Sequence, residues 1–369
     1  MFRKSESGQT IVIALILLAV GSLLVIPVLN HVFTNLNYNQ TIECRTLNDY
    51  SADAGVQYAT CKIYNNAAAY AESAVTENFT ANDRTVDVTI EYIGGGLYSI
   101  NSTAHGGGCG STTIRSFVNI SHGSFAYALA AKQDLTINNT NVDTHPDQGL
   151  GAPIHSNINI DISGPPKGER KIWGDASAVG TITGEGYVTG NVTQGSDNLT
   201  FPTTNAELYK TIAQEGGTVD NLEFSGGGTF DNVGPKYVTG NMIVDAWTTV
   251  VLAGPLYIDG YLQVNNGNIE GREHIICEGD VQILGGGYGS EDIPVITSLY
   301  GDITLQGPVV DAVLYAPNGT VLLENLELYG AAGGLQVTVD NSLIWYSEKL
   351  HGRADLPGSE LYPLTYSYD

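Results

Sequence analysis

The feature that most constrains this chain is a charge-free apolar run near its N-terminus. Residues 10–29 (TIVIALILLAVGSLLVIPVL) contain no charged side chain, and about 20 such residues span a bilayer as a helix. A secretory signal peptide has a shorter apolar region that ends in a small-residue cleavage site, which residues 26–31 (IPVLNH) do not supply. The run therefore predicts a retained single-pass anchor in the cell membrane. Arg3 and Lys4 precede it and the next Lys or Arg is Arg45, so the positive-inside rule places the bulk of the chain outside the cell.

Composition agrees with an exposed, β-rich protein. The chain has 15 Lys plus Arg against 39 Asp plus Glu, a formal net charge of -24, which argues against nucleic-acid partners. Its 45 Gly and 21 Tyr favour sheets with tight corners. The glycine runs at 226–228 and 285–287 lack the spacing of nucleotide-binding loops, and we predict no cofactor.

The chain divides into five segments by its local patterns. Apolar residues at three- or four-residue spacing continue the anchor as an amphipathic helix. Alternating segments at 85–92, 96–103 and 113–121 then predict three antiparallel strands. The predicted segments are a leader (1–8), a transmembrane and extended helix (9–75), a small antiparallel sheet (76–125), a β-solenoid (126–349) with an excursion at 201–234, and a C-terminal tail (350–369) that we expect to cap the solenoid.

A repeat with regularly spaced corner glycines begins at about residue 126. Tyr187–Val192 (YVTGNV) and Tyr237–Met242 (YVTGNM) are nearly identical, and the corner glycines from Gly240 follow at intervals of 20, 19, 22 and 18 residues. That period is typical of one coil of a β-solenoid. The fold class predicted is therefore α+β, a long helix and a small sheet followed by a right-handed β-solenoid, with a β-sandwich as the alternative.

The N-terminal residues resemble those of type IV prepilins. The basic leader MFRKSESG ends in Gly8 before the apolar helix, and the stretch DYSADAGVQY at 49–58 resembles PilX-like minor pilins. The repeat region resembles, at the level of its glycine pattern, the polymer-forming bactofilin fold. The resemblance implies that a prepilin peptidase cuts between Gly8 and Gln9 and that the helix packs against other pilin-like subunits. The assembly positions this implies are Ile11, Leu15, Leu18 and Leu23.

One departure from the prepilin pattern bears on the role. Major pilins carry a Glu five residues into the mature chain, and counting from Gln9 that position is Ile13. PilX-like proteins commonly lack this Glu as well. The resemblance therefore implies a minor or accessory role rather than that of a major filament subunit.

Four cysteines and eight glycosylation motifs are the candidate modification sites. Cys44 and Cys61 lie about 25 Å apart on one predicted helix and cannot bridge each other within it. We expect Cys61 to pair with Cys109, and Cys277 to be a buried thiol. The N-x-S/T acceptor asparagines, potential glycan sites or simply turn residues, are Asn39, Asn78, Asn101, Asn119, Asn138, Asn191, Asn198 and Asn318.

Catalytic and metal chemistry has little support in the sequence. Asp259, Asp280 and Asp302 flank corner glycines and would form a carboxylate ladder if they stacked, although Asp also caps turns. Tyr187, Tyr237, Tyr257, Tyr261 and Tyr300 recur beside the same corners, where stacking between coils is the simplest interpretation. Asp143, His145 and Asp147 form the weak metal candidate.

These observations favour a membrane-anchored, surface-exposed pilin-like protein with a structural or adhesive role and no enzymatic activity. Its expected partners are the membrane, itself or other pilin-like subunits, a prepilin peptidase and surface glycans. The alternatives are a membrane-tethered carbohydrate-active β-helix enzyme and a plain cell-envelope protein that is not processed.

Overall fold

The chain forms a long N-terminal helix, a small antiparallel sheet and a β-solenoid of about nine turns. The computed structural model describes residues 7–70, 73–94, 97–121, 123–144, 151–164, 171–202, 204–286, 293–307, 309–347, 350, 353 and 355–368. Strands from Leu129 to Tyr346 pair in parallel, coil upon coil. Because a sandwich pairs its strands antiparallel, this confirms the solenoid over the sandwich.

The described elements follow one another in a simple order. The helices are α1 (Ser7–Asn66) and α2 (Ala206–Glu215), with short 3-10 turns at Ala67–Tyr70, Gly123–Ala126 and Glu185–Tyr187. The strands outside the solenoid are β1 (Val75–Ala81), β2 (Arg84–Gly94), β3 (Leu97–His105), β4 (Ser111–Ser121) and β29 (Glu360–Tyr368). The solenoid strands are β5 (Leu129–Ala131), β6 (Leu135–Asn138), β7 (Asn141–Thr144), β8 (Ile154–Ser156), β9 (Ile160–Ser163), β10 (Ala176–Ala178), β11 (Ile182–Thr183), β12 (Val192–Gln194), β13 (Thr218–Val219), β14 (Leu222–Phe224), β15 (Gly228–Val233), β16 (Lys236–Val238), β17 (Met242–Val244), β18 (Thr248–Leu252), β19 (Leu256–Ile258), β20 (Leu262–Asn265), β21 (Asn268–Glu270), β22 (His274–Cys277), β23 (Val281–Leu284), β24 (Val295–Ser298), β25 (Ile303–Gln306), β26 (Val309–Glu324), β27 (Glu327–Asp340) and β28 (Leu343–Tyr346).

The small sheet has five strands in the order β1-β2-β3-β4-β29, two more than the three predicted. The last strand of the chain returns to pair antiparallel with β4, from Glu360 opposite Ser121 to Tyr368 opposite Ile114. The C-terminal tail therefore completes the sheet, and the expectation that it caps the solenoid is wrong. Its Pro363 is tolerated because β29 lies at the sheet edge, where the register shifts next to the proline.

The C-terminal half of α1 packs on this sheet. Ala52, Val56, Ala59 and Ile63 are buried against strand residues including Val86, Ile100 and Ile114. Small residues on this face let the helix approach the sheet closely. A Cβ atom at Gly55 would clash with the Ser102 hydroxyl and with the side chains of Val86 and Val88, so a larger residue there requires these side chains to shift.

The solenoid is not stacked in chain order. The first coils run outward from β5–β7 to β12, and the chain then starts a second series at β13–β15 that ends at β27 and β28. This last coil pairs with the first one, as Val337 opposite Leu135 and Leu343 opposite Asn141 show. Residues 218–233, placed in the excursion by sequence, pair in parallel register with the following coil. The first and last coils therefore meet inside one continuous stack.

The connection between the two series runs back along the side of the stack. The Asn157 amide donates to the Leu199 carbonyl at 2.8 Å, and the Tyr315 hydroxyl donates to the Pro202 carbonyl at 2.6 Å. Further on, α2 buries Ala213 against Tyr257 and Ile276. This return segment explains how the chain reaches the far end of the stack.

The chain enters and leaves the solenoid at neighbouring points. The Tyr346 hydroxyl of the last coil donates to the Phe125 carbonyl at the entrance, at 2.8 Å. On the exit side, the buried Arg353 donates to Asp355 at 3.0 Å and to the Arg272 carbonyl at 2.9 Å, while His274 lies 3.2 Å from the same carboxylate. Burial acts to raise the pKa of Asp355, but hydrogen bonds from His274 and Arg353 hold it well below its usual range. The solenoid is thus an insertion between β4 and β29.

Candidate functional site

The candidate assembly surface is the N-terminal half of α1. The predicted assembly residues are exposed: Ile11 and Leu15 by 63%, Leu18 by 73% and Leu23 by 72%. Gly8 and Gln9 lie in the first turn, and residues 1–6 of the leader fall outside the described ranges. The processing site and the assembly face stay predictions, placed on one continuous helix.

Three hydroxyl groups on this half of the helix form hydrogen bonds with its own backbone. The hydroxyls of Thr34 and Thr41 each donate at 2.8 Å to the backbone carbonyl four residues earlier, and Ser22 donates to the Ala19 carbonyl at 2.9 Å. Such back-bonding removes the cost of placing a hydroxyl in an apolar environment. Between Glu6 and Glu43 the chain carries no Asp, Glu, Lys or Arg, so this stretch suits lipid or other apolar helices.

A disulfide ties α1 to the sheet, and it is not the predicted one. Cys44 is bonded to Cys109, with a Cα–Cα distance of 6.0 Å, so the expected Cys61–Cys109 pair is wrong. The reason is the position of the β3–β4 turn, which lies over the helix at Cys44. There, the buried Asn48 donates to the Gly110 carbonyl at 3.0 Å and accepts from Arg84 at 2.8 Å. Cys61 lies exposed 17 residues further along the helix, towards the other end of the sheet.

The other end of the helix is held by a polar cluster. The Tyr58 hydroxyl donates to Glu77 at 2.6 Å and that of Tyr70 at 3.2 Å, while Lys62 lies 3.7 Å away. The hydrogen bond from Tyr58 holds the pKa of Glu77 below its ordinary value. Together with the disulfide, this cluster fixes both ends of the helix–sheet interface.

Corner residues of the solenoid form a hydrogen-bonded column. At several corners, an Asp or Asn that follows the glycine accepts, through its side-chain oxygen, the backbone N–H of its equivalent on the next coil, and Tyr261 interrupts this series. Asp280 accepts from Asp302 at 2.9 Å, Asp302 from Thr320 at 2.7 Å, and Asn241 from Tyr261 at 3.1 Å. These carboxylates therefore cap turns, as the simpler interpretation held.

The carboxylate ladder that the sequence left open, with Asp259, Asp280 and Asp302 on one face, does not form. Asp259 precedes its corner glycine, whereas Asp280 and Asp302 follow theirs, so Asp259 lies on the other flank of the corner. It pairs there with Lys210 of α2 at 3.3 Å and accepts from Tyr237. The three carboxylates do not converge, which removes the observation behind the enzyme alternative.

The corner tyrosines form one neighbouring pair rather than a strip. Tyr237 and Tyr257 have ring centroids 6.0 Å apart and lie beneath Lys210. Tyr187 donates instead to the Gly164 carbonyl at 2.7 Å. Tyr261 and Tyr300 are 39% and 73% exposed, on opposite flanks of their corners. The expected stacking is therefore limited to the face that α2 covers.

The weak metal candidate lies only partly within the described residues. Asp143 accepts the backbone N–H of Thr144 at 2.7 Å, while His145 and Asp147 lie outside the described residues. Across the described ranges, no group of three or more His, Cys, Asp and Glu side chains is arranged to hold a metal.

Cys277 is fully buried, and burial raises its pKa to about 12. Of the acceptor asparagines, the exposed ones are Asn39, Asn78, Asn191, Asn198 and Asn318, and the partly buried ones are Asn101, Asn119 and Asn138.

Comparisons with known proteins add little to this geometry. No protein-family profile matches the chain, and no curated protein sequence matches it. Among solved structures, the competence-associated pilin ComZ from Thermus thermophilus is similar at 11% identity and a TM-score of 0.29, over 88% of this chain and 97% of that chain. At that TM-score the likeness is too loose to carry an argument about fold or function.

Proposed function

We propose that this chain is a pilin-like surface protein, anchored in the cell membrane by α1, and that it is a minor component of a filament. The supporting observation is the contrast between the two halves of α1. From Ala52 onward one face is buried on the sheet, whereas the large apolar side chains from Ile11 to Ile42 are 45–73% exposed. An apolar surface of this size is stable in water only when lipid or protein covers it.

The exposed apolar stretch of α1 is longer than a membrane anchor alone requires, which favours assembly with other subunits. At about 1.5 Å per residue, residues 11–42 cover roughly 48 Å of helix, whereas the hydrocarbon core of a bilayer is about 30 Å thick. Lipid accounts for the first part, as far as about Leu29. Val32, Phe33, Leu36 and Ile42 lie beyond it and are 46%, 60%, 51% and 45% exposed. We assign these positions to contacts with helices of other pilin-like subunits.

The N-terminus of the mature protein tests the processing step. Mass spectrometry of protein from native membranes should find a chain that begins at Gln9. Gly8→Leu should block that cut, and Gly21→Leu is the matched control because a side chain at Gly21 meets no atom within 4 Å. A native chain that begins at Met1 would leave an unprocessed envelope anchor in place of a filament subunit.

Assembly is tested separately, at a position beyond the bilayer. Leu36→Lys should leave membrane insertion intact, because residues 10–29 are unchanged, and should remove the protein from the sheared filament fraction. Tyr50→Lys is the control on the sheet-bearing half of α1, where Tyr50 is already 65% exposed. Equal filament yields from both variants would contradict the assembly proposal.

A further inference from the structure

An open groove lies on one flank of the solenoid, across three neighbouring coils. Its volume is about 380 Å³, within the size range of small-molecule sites. It is lined by three corner residues, Tyr261, Asp280 and Asp302, and by Gln263, Gln282 and Thr304 from β20, β23 and β25. The latter three are paired in register, so each lies one strand spacing, about 4.8 Å, from the next.

The acceptors of this groove are held in place by the fold. Asp280 and Asp302 each use one carboxylate oxygen for the backbone N–H of the next coil, at 2.9 and 2.7 Å. No described residue donates to the second oxygen of either carboxylate, and that oxygen can accept from a ligand. Gln263 donates through its amide nitrogen to Asn265 at 3.2 Å, which fixes its orientation and leaves its amide oxygen as an acceptor. A preorganised set of this kind loses little conformational entropy on binding.

The chemistry of the lining selects the ligand. Among the described residues that line the groove there are two carboxylates and no Lys, Arg or His, so an anionic ligand would be repelled. Carboxylates bind hydroxyl donors strongly, and the Tyr261 ring, part of a side chain that is 39% exposed, offers an apolar face. We propose that this groove binds a segment of a neutral polysaccharide, whose hydroxyls donate to Asp280 and Asp302 and whose sugar ring stacks on Tyr261.

This inference goes beyond the proposed filament role and rests on the solenoid lying outside the cell, but the groove is tested on its own. The purified full chain, in a detergent without a sugar headgroup, is titrated with cellohexaose, chitohexaose and mannohexaose. Hexagalacturonate serves as the acidic probe and chitosan hexamer as the cationic one. We expect saturable binding of at least one neutral probe and none of the acidic probe. The affinity should be unchanged between 0.05 and 0.5 M NaCl, because no ion pair is formed.

Two variants place the binding in the groove. Tyr261→Ala should weaken it about two- to tenfold, the range of one aromatic contact, and Gln282→Ala should weaken it as well. Both side chains reach the surface, and circular dichroism checks that each variant folds. Trp247→Ala is the control, an 84% exposed aromatic outside the lining. Any of three results would overturn the inference and leave the filament proposal unaffected. No neutral probe binds, or only chitosan binds and its binding is lost at high salt, or Trp247→Ala and Tyr261→Ala have equal effects.

Discussion

The disulfide between Cys44 and Cys109 gives the most direct test of how the helix is held to its sheet. It closes a loop with a sequence separation of 65 residues. Replacing both cysteines by serine releases that restraint on the unfolded chain, and the chain-entropy expression for such a loop gives a loss of about 4 kcal/mol at 25 °C. The contacts of Asn48 with Gly110 and Arg84 remain, so we expect the helix to stay docked but to open far more often.

Hydrogen exchange read by mass spectrometry suits this prediction, because it reports the opening of β2–β4 separately from the solenoid. A loss of about 4 kcal/mol corresponds to roughly a thousandfold faster exchange of the protected sheet amides. Cys61→Ser is the matched control on the same helix, because it removes a thiol without opening the loop, and it should accelerate exchange far less than the double variant. The reasoning fails if Cys61→Ser accelerates exchange as much as the double variant, or if the double variant exchanges at the wild-type rate.

Three further predictions address packing and protonation. Gly55→Leu should destabilise the helix–sheet unit by about 1–3 kcal/mol by overpacking, since a Cβ atom there would clash with the Ser102 hydroxyl. The control Gly21→Leu should leave stability unchanged, and equal denaturation midpoints for the two variants would contradict the close approach of helix and sheet. Burial raises the pKa of Cys277 to about 12, so Cys277 should stay unmodified by a thiol reagent at pH 8 while the exposed Cys61 reacts; equal labelling rates would refute this. Because the Cys277 thiol ionises in the unfolded chain above about pH 8.5, its contribution to the free energy of unfolding falls as pH rises from there. Glu77 has a pKa lowered by Tyr58, so its contribution is present above about pH 4.3 and is lost as pH falls through the lower folded value. Tyr58→Phe should therefore shrink the acid-dependent loss of stability in urea unfolding between pH 2 and 7, and an unchanged pH profile would count against the hydrogen bond.

The parts of the fold that sequence predicted are those with strong local periodicity. The charge-free run at 10–29 predicts a helix on its own, and the YVTGN repeats with their glycine spacing predict the coil period. The corner aspartates followed from the turn chemistry of Asp, since Asp280 and Asp302 accept backbone N–H groups as such residues do.

The missed features depend on which segments meet, and local pattern does not carry that information. Parallel coils present similar apolar rows, so nothing in the local sequence of Leu135 or Val337 shows that these two residues become neighbours. Two strands were missed for a local reason. Pro363 argued against a strand in the C-terminal tail, although β29 forms there at the sheet edge, and Glu77 at an inward position of β1 interrupts the apolar alternation expected of a strand. The correct disulfide needed the position of the β3–β4 turn over the helix, which no spacing rule gives.

The insertion of the solenoid between β4 and β29 separates the two proposed roles physically. The helix and its sheet share the core that contains Val56, Val88 and Ile100, while the solenoid has its own continuous core from Leu129 to Tyr346. The crossing at Phe125 lies where the two series meet, whereas Arg353 donates to the Arg272 carbonyl, on the coil that also carries Asp280 and Gln282 of the groove. The residues that line the groove all belong to the solenoid, and Leu36 lies on the exposed half of α1, so we expect a substitution at either place to leave the contacts of the other unchanged. Ligand specificity can change along the solenoid while the helix surface that assembles stays the same.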